Sequence, residues 1–315
     1  MSQQSLISPS DTDEFLSFFS QNSIRYVSGQ KNIRIAYCHF IHSKNIASKL
    51  LILVNGRAEN MLKWAELAHD FYQLGYDILL FDHRGQGYSQ RLHTNEKGHL
   101  DRFRFYVDDM AKIITNVTAL TSYKNQYLIA HSLGALISCH YLATHHHNIE
   151  KAVLSAPFFG VPLKSPWRDK FIIKLMILLG QGKRYVFGKK GFKPVDPKNN
   201  ALSDSRSRMA RMNKIHHKYP QLRLGGPTFR WLYLCLNAIK SLPSILPNIK
   251  IPTLILQAEK EQIVNNQTLS KLTALFPNAE CKIVPNAKHE ILFETTPLRA
   301  NVINQILQFL SSNDR

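Results

Sequence analysis

The chain has 315 residues, 44% of them hydrophobic, enough for one large α/β domain with an insertion or for two domains. No apolar run reaches the roughly 18 residues of a membrane-spanning helix, and the four cysteines lack metal-site spacing. The formal charge is +18 at pH 7, from 40 Lys and Arg against 22 Asp and Glu, and its placement along the chain matters more than its size.

The N-terminal stretch MSQQSLISPSDTDEFLSFF has no basic start and no long apolar core, and it carries Asp11, Asp13 and Glu14. It does not read as a secretory signal, so the protein is expected to stay in the cytosol. Cys38, Cys139, Cys235 and Cys281 fall in strand-like or helix-like runs. They read as small buried apolar residues, kept reduced.

Strand-like runs follow in order: IRIAYCHF (Ile33 to Phe40), LLILV (Leu50 to Val54), YDILLFD (Tyr76 to Asp82) and YLIA (Tyr127 to Ala130). KAVLSAP (Lys151 to Pro157), PTLILQA (Pro252 to Ala258) and CKIVP (Cys281 to Pro285) complete the set. Several are continuous Leu, Ile and Val without alternation, the pattern of parallel strands buried on both faces. Helical patterns lie between them. Trp64, Leu67, Ala68, Phe71 and Leu74 recur at three- and four-residue spacing before Gly75. FYVDDMAKIITNVTAL and LRANVINQILQFL show the same period. The alternation predicts a mostly parallel sheet flanked by helices.

The alternation breaks between about Phe158 and Ile251. This segment is irregular, with apolar patches such as FIIKLMILLG (Phe171 to Gly180, interrupted by Lys174) among Pro, Gly, Lys and Arg. That run suits a buried or interfacial helix. From Val161 to Lys250 there are 19 Lys and Arg against 3 Asp and Glu, a balance of +16. The reading is an α/β core over residues 1–157 and 251–315 with a basic cap inserted at 158–250. Charge concentrated in this way points to an anionic surface or substrate beside the cap.

YLIAHSLGALIS (Tyr127 to Ser138) is a strand that turns abruptly into a helix, with Ser132 at the corner. Enzymes that expose a nucleophilic serine on such a corner usually read G-x-S-x-G. Here the first glycine is Ala130, one methyl larger, while Gly134 keeps the tighter position. A serine nucleophile needs a base, and the base an orienting acid, in the chain order Ser, acid, His. NAKHEILFE places His289 in the loop after the last clear strand, and LQAEKEQIVNN places Glu261 after the strand before it, with Glu259 as rival. Oxyanion donors are expected from the backbone N–H of Leu133 and, in the loop LILVNGRAEN, of Arg57.

Other residues read differently. Asp82, Arg84 and Gly87 brace their loop, and His131 faces away from Ser132 and is structural. His145 to His147 read as a solvated helix end. Arg206, Arg208 and Arg211 are candidates to grip a phosphate, which guanidinium suits.

These residues together resemble the α/β-hydrolase superfamily, in the branch of monoglyceride lipases and bacterial inner-membrane lysophospholipases. FDHRGQGYS (Phe81 to Ser89) looks like the D-x-R-G-x-G-x-S loop of that branch, and NGRAE stands where many relatives have H-G-x-x-E, with Asn55 in place of histidine. DHRGQG, AHSLGALIS, GGPTFRW, LQAEKEQIVNN and HEILFE resemble segments of the lysophospholipase family, in order, over most of the chain. Ala before the His-Ser pair and Glu in the acid loop are both expected there. The resemblance implies hydrolysis of a lysophospholipid to a fatty acid and a glycerophosphodiester, with Ser132 as nucleophile, His289 as base and Glu261 as acid. Neutral esters such as monoacylglycerols are the alternative substrates. No metal or cofactor is called for. The basic cap predicts peripheral attachment to an anionic membrane, on the cytoplasmic face of the bacterial inner membrane. No zinc, helix-turn-helix or RNA-binding signature supports a specific nucleic-acid partner, and no protein partner is implied.

Overall fold

The Leu, Ile and Val runs assemble into one eight-stranded sheet in a computed structural model of the chain. The structure describes residues 15, 17–19, 24–42, 49–93, 96–120 and 123–312, so most of the N-terminal stretch read above lies outside the described residues. The strands are β1 (Ile24–Ser28), β2 (Arg34–Phe40), β3 (Lys49–Val54), β4 (Asp77–Phe81), β5 (Asn125–His131), β6 (Ile149–Ser155), β7 (Thr253–Ala258) and β8 (Ala279–Val284). Their spatial order is β1-β2-β4-β3-β5-β6-β7-β8. β2 pairs antiparallel with β1 and with β4, and the remaining pairs are parallel.

Burial follows the pleat. Leu50, Ile52 and Val54 enter one core and Leu51 and Leu53 the other, all fully buried. Helix α1 (Ala65–Gln73) covers the second face, and α2 (Arg104–Leu120) and α3 (Leu133–Thr144) cover the first. After β6 come α4 (Pro166–Leu178), α5 (Arg206–Lys218), α6 (Phe229–Lys240) and the short α7 (Leu242–Ile245). After β7 come α8 (Leu269–Thr273) and α9 (Thr296–Ser311), and α9 joins α1 on the second face.

The expected sheet is present, with two differences. β1 was not anticipated: IRYVS is short, mixes Arg25 and Ser28 with its apolar residues and is mostly open to solvent, so it offers no apolar run to read. Cys281 is exposed on β8, correcting its reading as a buried residue, whereas Cys38, Cys139 and Cys235 are buried. β8 is the last strand of the sheet, and its burial falls away with its missing neighbour.

Helix α4 also departs from a core helix. It buries Ile173 but leaves Trp167 81%, Phe171 56% and Leu178 83% exposed. Trp167 and Phe171 stack with ring centroids 6.1 Å apart. The exposed residues at positions 167, 171, 175 and 178 fall on one stripe of the helix, so an apolar stripe faces out while Ile172, Ile173, Met176 and Ile177 pack inward.

Candidate active site

The parallel strands β3, β5, β6 and β7 all end at one edge of the sheet, and the loops beyond that edge hold the candidate residues. β5 enters the corner at Ala130, which pairs with Val54 of β3. Ser132 then adopts φ 53° and ψ −116°, a strained conformation for a non-glycine residue that turns the chain at once into α3. Its N–H donates to Ser155 O at 3.0 Å, and its carbonyl accepts from Phe158 N at 3.1 Å. The corner is thus clamped to β6 and to the loop that leaves it. Gly134 is needed for the crossing: a Cβ there would stand 2.3 Å from Val54 O and 2.6 Å from Asn55 O. Ala130 is fully buried and fits.

His289 and Glu261 reach this corner from two other loops. His289 Nε2 lies 3.0 Å from Ser132 Oγ, and its Nδ1 lies 2.8 Å from Glu261 Oε2. Both side chains are nearly sealed from solvent. Glu261 Oε1 accepts from Ile263 N at 2.7 Å and Val264 N at 3.2 Å, which fixes the carboxylate. Glu259 instead accepts from Asn286 N at 2.7 Å, so Glu261 is the acid that meets the imidazole. Burial raises the Glu261 carboxyl, but the His289 hydrogen bond and the two backbone donors outweigh it and hold it below the ordinary value. Burial lowers His289, only partly offset by Glu261. The ring is therefore neutral near pH 7: its Nδ1–H donates to Glu261, and its Nε2 accepts from the serine hydroxyl.

Leu133 is the first residue of α3, so its N–H has no acceptor within the helix. Arg57 follows Gly56 in the loop after β3. That loop is fixed from several sides. Gly56 N donates to Glu59 Oε2, and Gln86 Nε2 donates to Gly56 O at 2.8 Å. Asn55 Nδ2 donates to Phe81 O at 3.1 Å and to Asp82 Oδ1 at 3.0 Å. Asp82 also accepts from Met61 N and Tyr88 N, and Arg84 donates to both oxygens of Asp109, as the bracing reading expected. Gly87 has φ +55°, and any Cβ there would collide with Asp82.

Beneath His289 lies a buried charge cluster that the sequence reading missed. Lys63 Nζ donates to Glu59 Oε1 and, at 2.6 Å, to Glu290 Oε1. Trp64 Nε1 donates to Glu59 Oε2 at 3.0 Å. His131 Nδ1 lies 3.3 Å from Glu59 Oε2 and its Nε2 3.2 Å from His289 O. The rings of His131 and His289 are 4.8 Å apart. Burial disfavours a charged His131, but Glu59 outweighs burial and raises it. Glu59 is raised by burial and more strongly lowered by Lys63 and His131. His131 is structural, yet it carries the backbone of His289 on its ring. The sequence signals were available in the Glu of NGRAE and in Glu290 beside His289.

The cap arginines require a correction. Arg208 and Arg211 turn inward, not toward a ligand. Arg208 Nε lies 3.0 Å from Glu66 Oε2, and Arg211 Nη2 2.6 Å from the same oxygen. Both are buried, and the buried Glu66 of α1 supplies the counter-charge that their burial requires. Arg206 is exposed at the start of α5.

Residues 46–296 match the family model described as serine aminopeptidase, S33. The chain is 60% identical over 298 residues to "Probable lysophospholipase L2" of Haemophilus influenzae, covering 95% of each chain. It is 29% identical over 310 residues to "Lysophospholipase L2" of Escherichia coli strain K12, covering 94% of this chain and 90% of that one. Among solved structures, a soluble variant of monoglyceride lipase from Saccharomyces cerevisiae superposes with a TM-score of 0.73 at 18% identity, over 91% of this chain and 94% of that one. With this fold and this match over most of its length, the chain belongs to the serine aminopeptidase S33 family of α/β-hydrolases.

Proposed function

We propose that this enzyme hydrolyses the acyl ester of a lysophospholipid, releasing a fatty acid and a glycerophosphodiester through an acyl-enzyme on Ser132. The observation that carries the proposal is the hydrogen-bonded run Glu261–His289–Ser132 beside a segment holding +16 of the chain's +18 charge. The 60% identical relative named a probable lysophospholipase supports the substrate class.

In this reading His289 Nε2 takes the hydroxyl proton as Ser132 Oγ attacks the acyl carbonyl. The N–H groups of Leu133 and Arg57 hold the oxyanion. His289 then protonates the leaving glycerol oxygen, and a water activated by His289 releases the fatty acid from Ser132. Glu261 holds the ring in the required tautomer and stabilises the imidazolium. Residues 158–250 act as the cap, covering the acyl chain with apolar side chains and presenting cations to the lipid surface.

The protein works as a peripheral enzyme on the cytoplasmic face of the bacterial inner membrane. Among the described residues no helix is long and apolar enough to cross a membrane. The outward face of α4, with exposed Lys170 and Lys174 among Trp167, Phe171 and Leu178, has the make-up of a segment that lies in a lipid interface.

The test is fatty-acid release from lysophosphatidylethanolamine and from monoacylglycerol, side by side, with Ser132→Ala as control. Preference for the lysolipid, lost in the variant, is the expected result. Preference for the neutral ester would keep the catalytic assignment and overturn the substrate.

A further inference from the structure

With Arg208 and Arg211 committed to Glu66, a different cation is left in the loop after β3. The Arg57 guanidinium has no acid partner among the described residues. Its Nη2 donates to the carbonyl of Gly225, and its plane stands 5.2 Å from the Trp231 ring. Its Nε is sealed from solvent with no acceptor among the described residues. Gly98 gives it room, since a Cβ there would lie 2.6 Å from Nη2. Arg57 as a whole residue is only partly buried, although its Nε is sealed. Burial lowers the guanidinium to about 10, which leaves it charged at neutral pH. A buried cation with an orphaned donor and no counter-ion is costly to the fold alone. It is explained if an anion completes it.

The position identifies the anion's place in a substrate. Arg57 belongs to the loop whose backbone N–H is assigned to the oxyanion. Trp231, on which its side chain lies, stacks on Phe158 with centroids 6.1 Å apart, and Phe158 N donates to the carbonyl of Ser132. The guanidinium thus hangs from the loop that carries the assigned oxyanion donor, between Gly225 and Trp231, and a substrate held by that donor would bring the charge nearest its ester toward this loop. In a lysophospholipid that charge is the phosphodiester, separated from the ester by the glycerol carbons. A forked guanidinium donor suits its paired oxygens.

We propose that the Arg57 side chain binds the phosphodiester of the substrate, so that one residue supplies an oxyanion donor from its backbone and head-group selectivity from its guanidinium. The proposal rests on the lysophospholipase reading and refines it.

The test compares Arg57→Met and Arg57→Lys with wild type, using both substrates in micelles of a neutral detergent, which removes attraction to an anionic surface. Thermal melting of each variant checks folding. The expected result is that Arg57→Met lowers kcat/KM for lysophosphatidylethanolamine about 10- to 100-fold more than for monoacylglycerol, the span of one charge-assisted hydrogen bond. Arg57→Lys should recover part of that ratio. An equal loss on both substrates would assign the side chain to loop support and overturn the proposal. A second readout stays valid if wild type cleaves only the neutral ester. Glycerophosphoethanolamine should inhibit monoacylglycerol hydrolysis by wild type and lose that effect in Arg57→Met. Equal inhibition of the two would also overturn the proposal, whereas failure of the lysolipid assay in wild type alone would overturn only the substrate reading.

Discussion

Ser132 sits at φ 53°, a conformation costing on the order of 1–3 kcal/mol that the surrounding hydrogen bonds enforce. What that strain achieves is placement: the hydroxyl projects from the corner toward His289 Nε2. Glu261 is the cleanest residue to probe. Glu261→Gln should lower kcat about 10⁴-fold while the fold survives, because the amide cannot hold the reactive tautomer. The pH profile adds a second readout. His289 is already below its ordinary value of 6.5 through burial, and Glu261 is what raises it. Activity requires the neutral ring, so the acid limb in wild type should lie below pH 6.5 and move lower still in Glu261→Gln. An unmoved limb would mean that another group orients the imidazole. Ser132, His289 and Glu261 were readable in the sequence because the chemistry demands three residue types in one chain order at strand ends. The cluster of Glu59, Lys63, His131 and Glu290 was not, since it forms between residues as much as 227 positions apart. Glu59→Gln should destabilise the protein by about 3–5 kcal/mol, because it leaves Lys63 and His131 facing a single carboxylate. A melting temperature equal to wild type would contradict that.

At the level of elements, the corner between β5 and α3 depends on small residues unequally. Gly134→Ala would press a methyl group into two backbone carbonyls that cannot move without shifting β3 and the loop that bears Arg57. Loss of activity together with a lower melting temperature is expected. Ala130→Gly removes a methyl that the crossing already accommodates, and should cost only about 0.5–1 kcal/mol with activity retained. This asymmetry explains why a departure from the usual glycine at Ala130 is harmless. A second element-level device is the arginine cluster gathered on the acids of α1. Glu66 receives Arg208 and Arg211 from α5, while Arg299 of α9 reaches Asp70 at 2.6 Å. Burial raises Glu66, but Arg299, Arg208 and Arg211 outweigh it and hold it at about 2. Its folded value is below its unfolded one, so its contribution is complete above about 4.5 and is lost as pH falls toward 2. Glu66→Ala should therefore lower the melting temperature by about 10 °C at neutral pH, and the difference from wild type should shrink in acid. The arginines were visible in the sequence. Their direction was not, because composition cannot distinguish a solvated helix face from one packed on a buried acid.

Across the whole molecule, most of the sheet could be read from unbroken Leu, Ile and Val runs, since only doubly covered strands tolerate them. β1 escaped because it covers little. The concentration of charge in residues 161–250 acts on the same scale. On the proposed peripheral reading, exposed cations near an anionic leaflet contribute about 1 kcal/mol each, and the exposed aromatic and leucine side chains of α4 would add insertion. The enzyme should sediment with anionic vesicles at low salt and release them at high salt. Trp167→Asp with Phe171→Asp should weaken sedimentation while leaving hydrolysis of micellar substrate intact. Equal binding to neutral vesicles would contradict the electrostatic part of this account. The central claim concerns Ser132, and it is tested most directly by quenching the enzyme in acid during turnover of lysophosphatidylethanolamine and mapping the acyl group by peptide mass spectrometry. An acyl ester on Ser132, absent in Ser132→Ala, is the predicted result. Turnover without a covalent intermediate, or an acyl group on another residue, would contradict it.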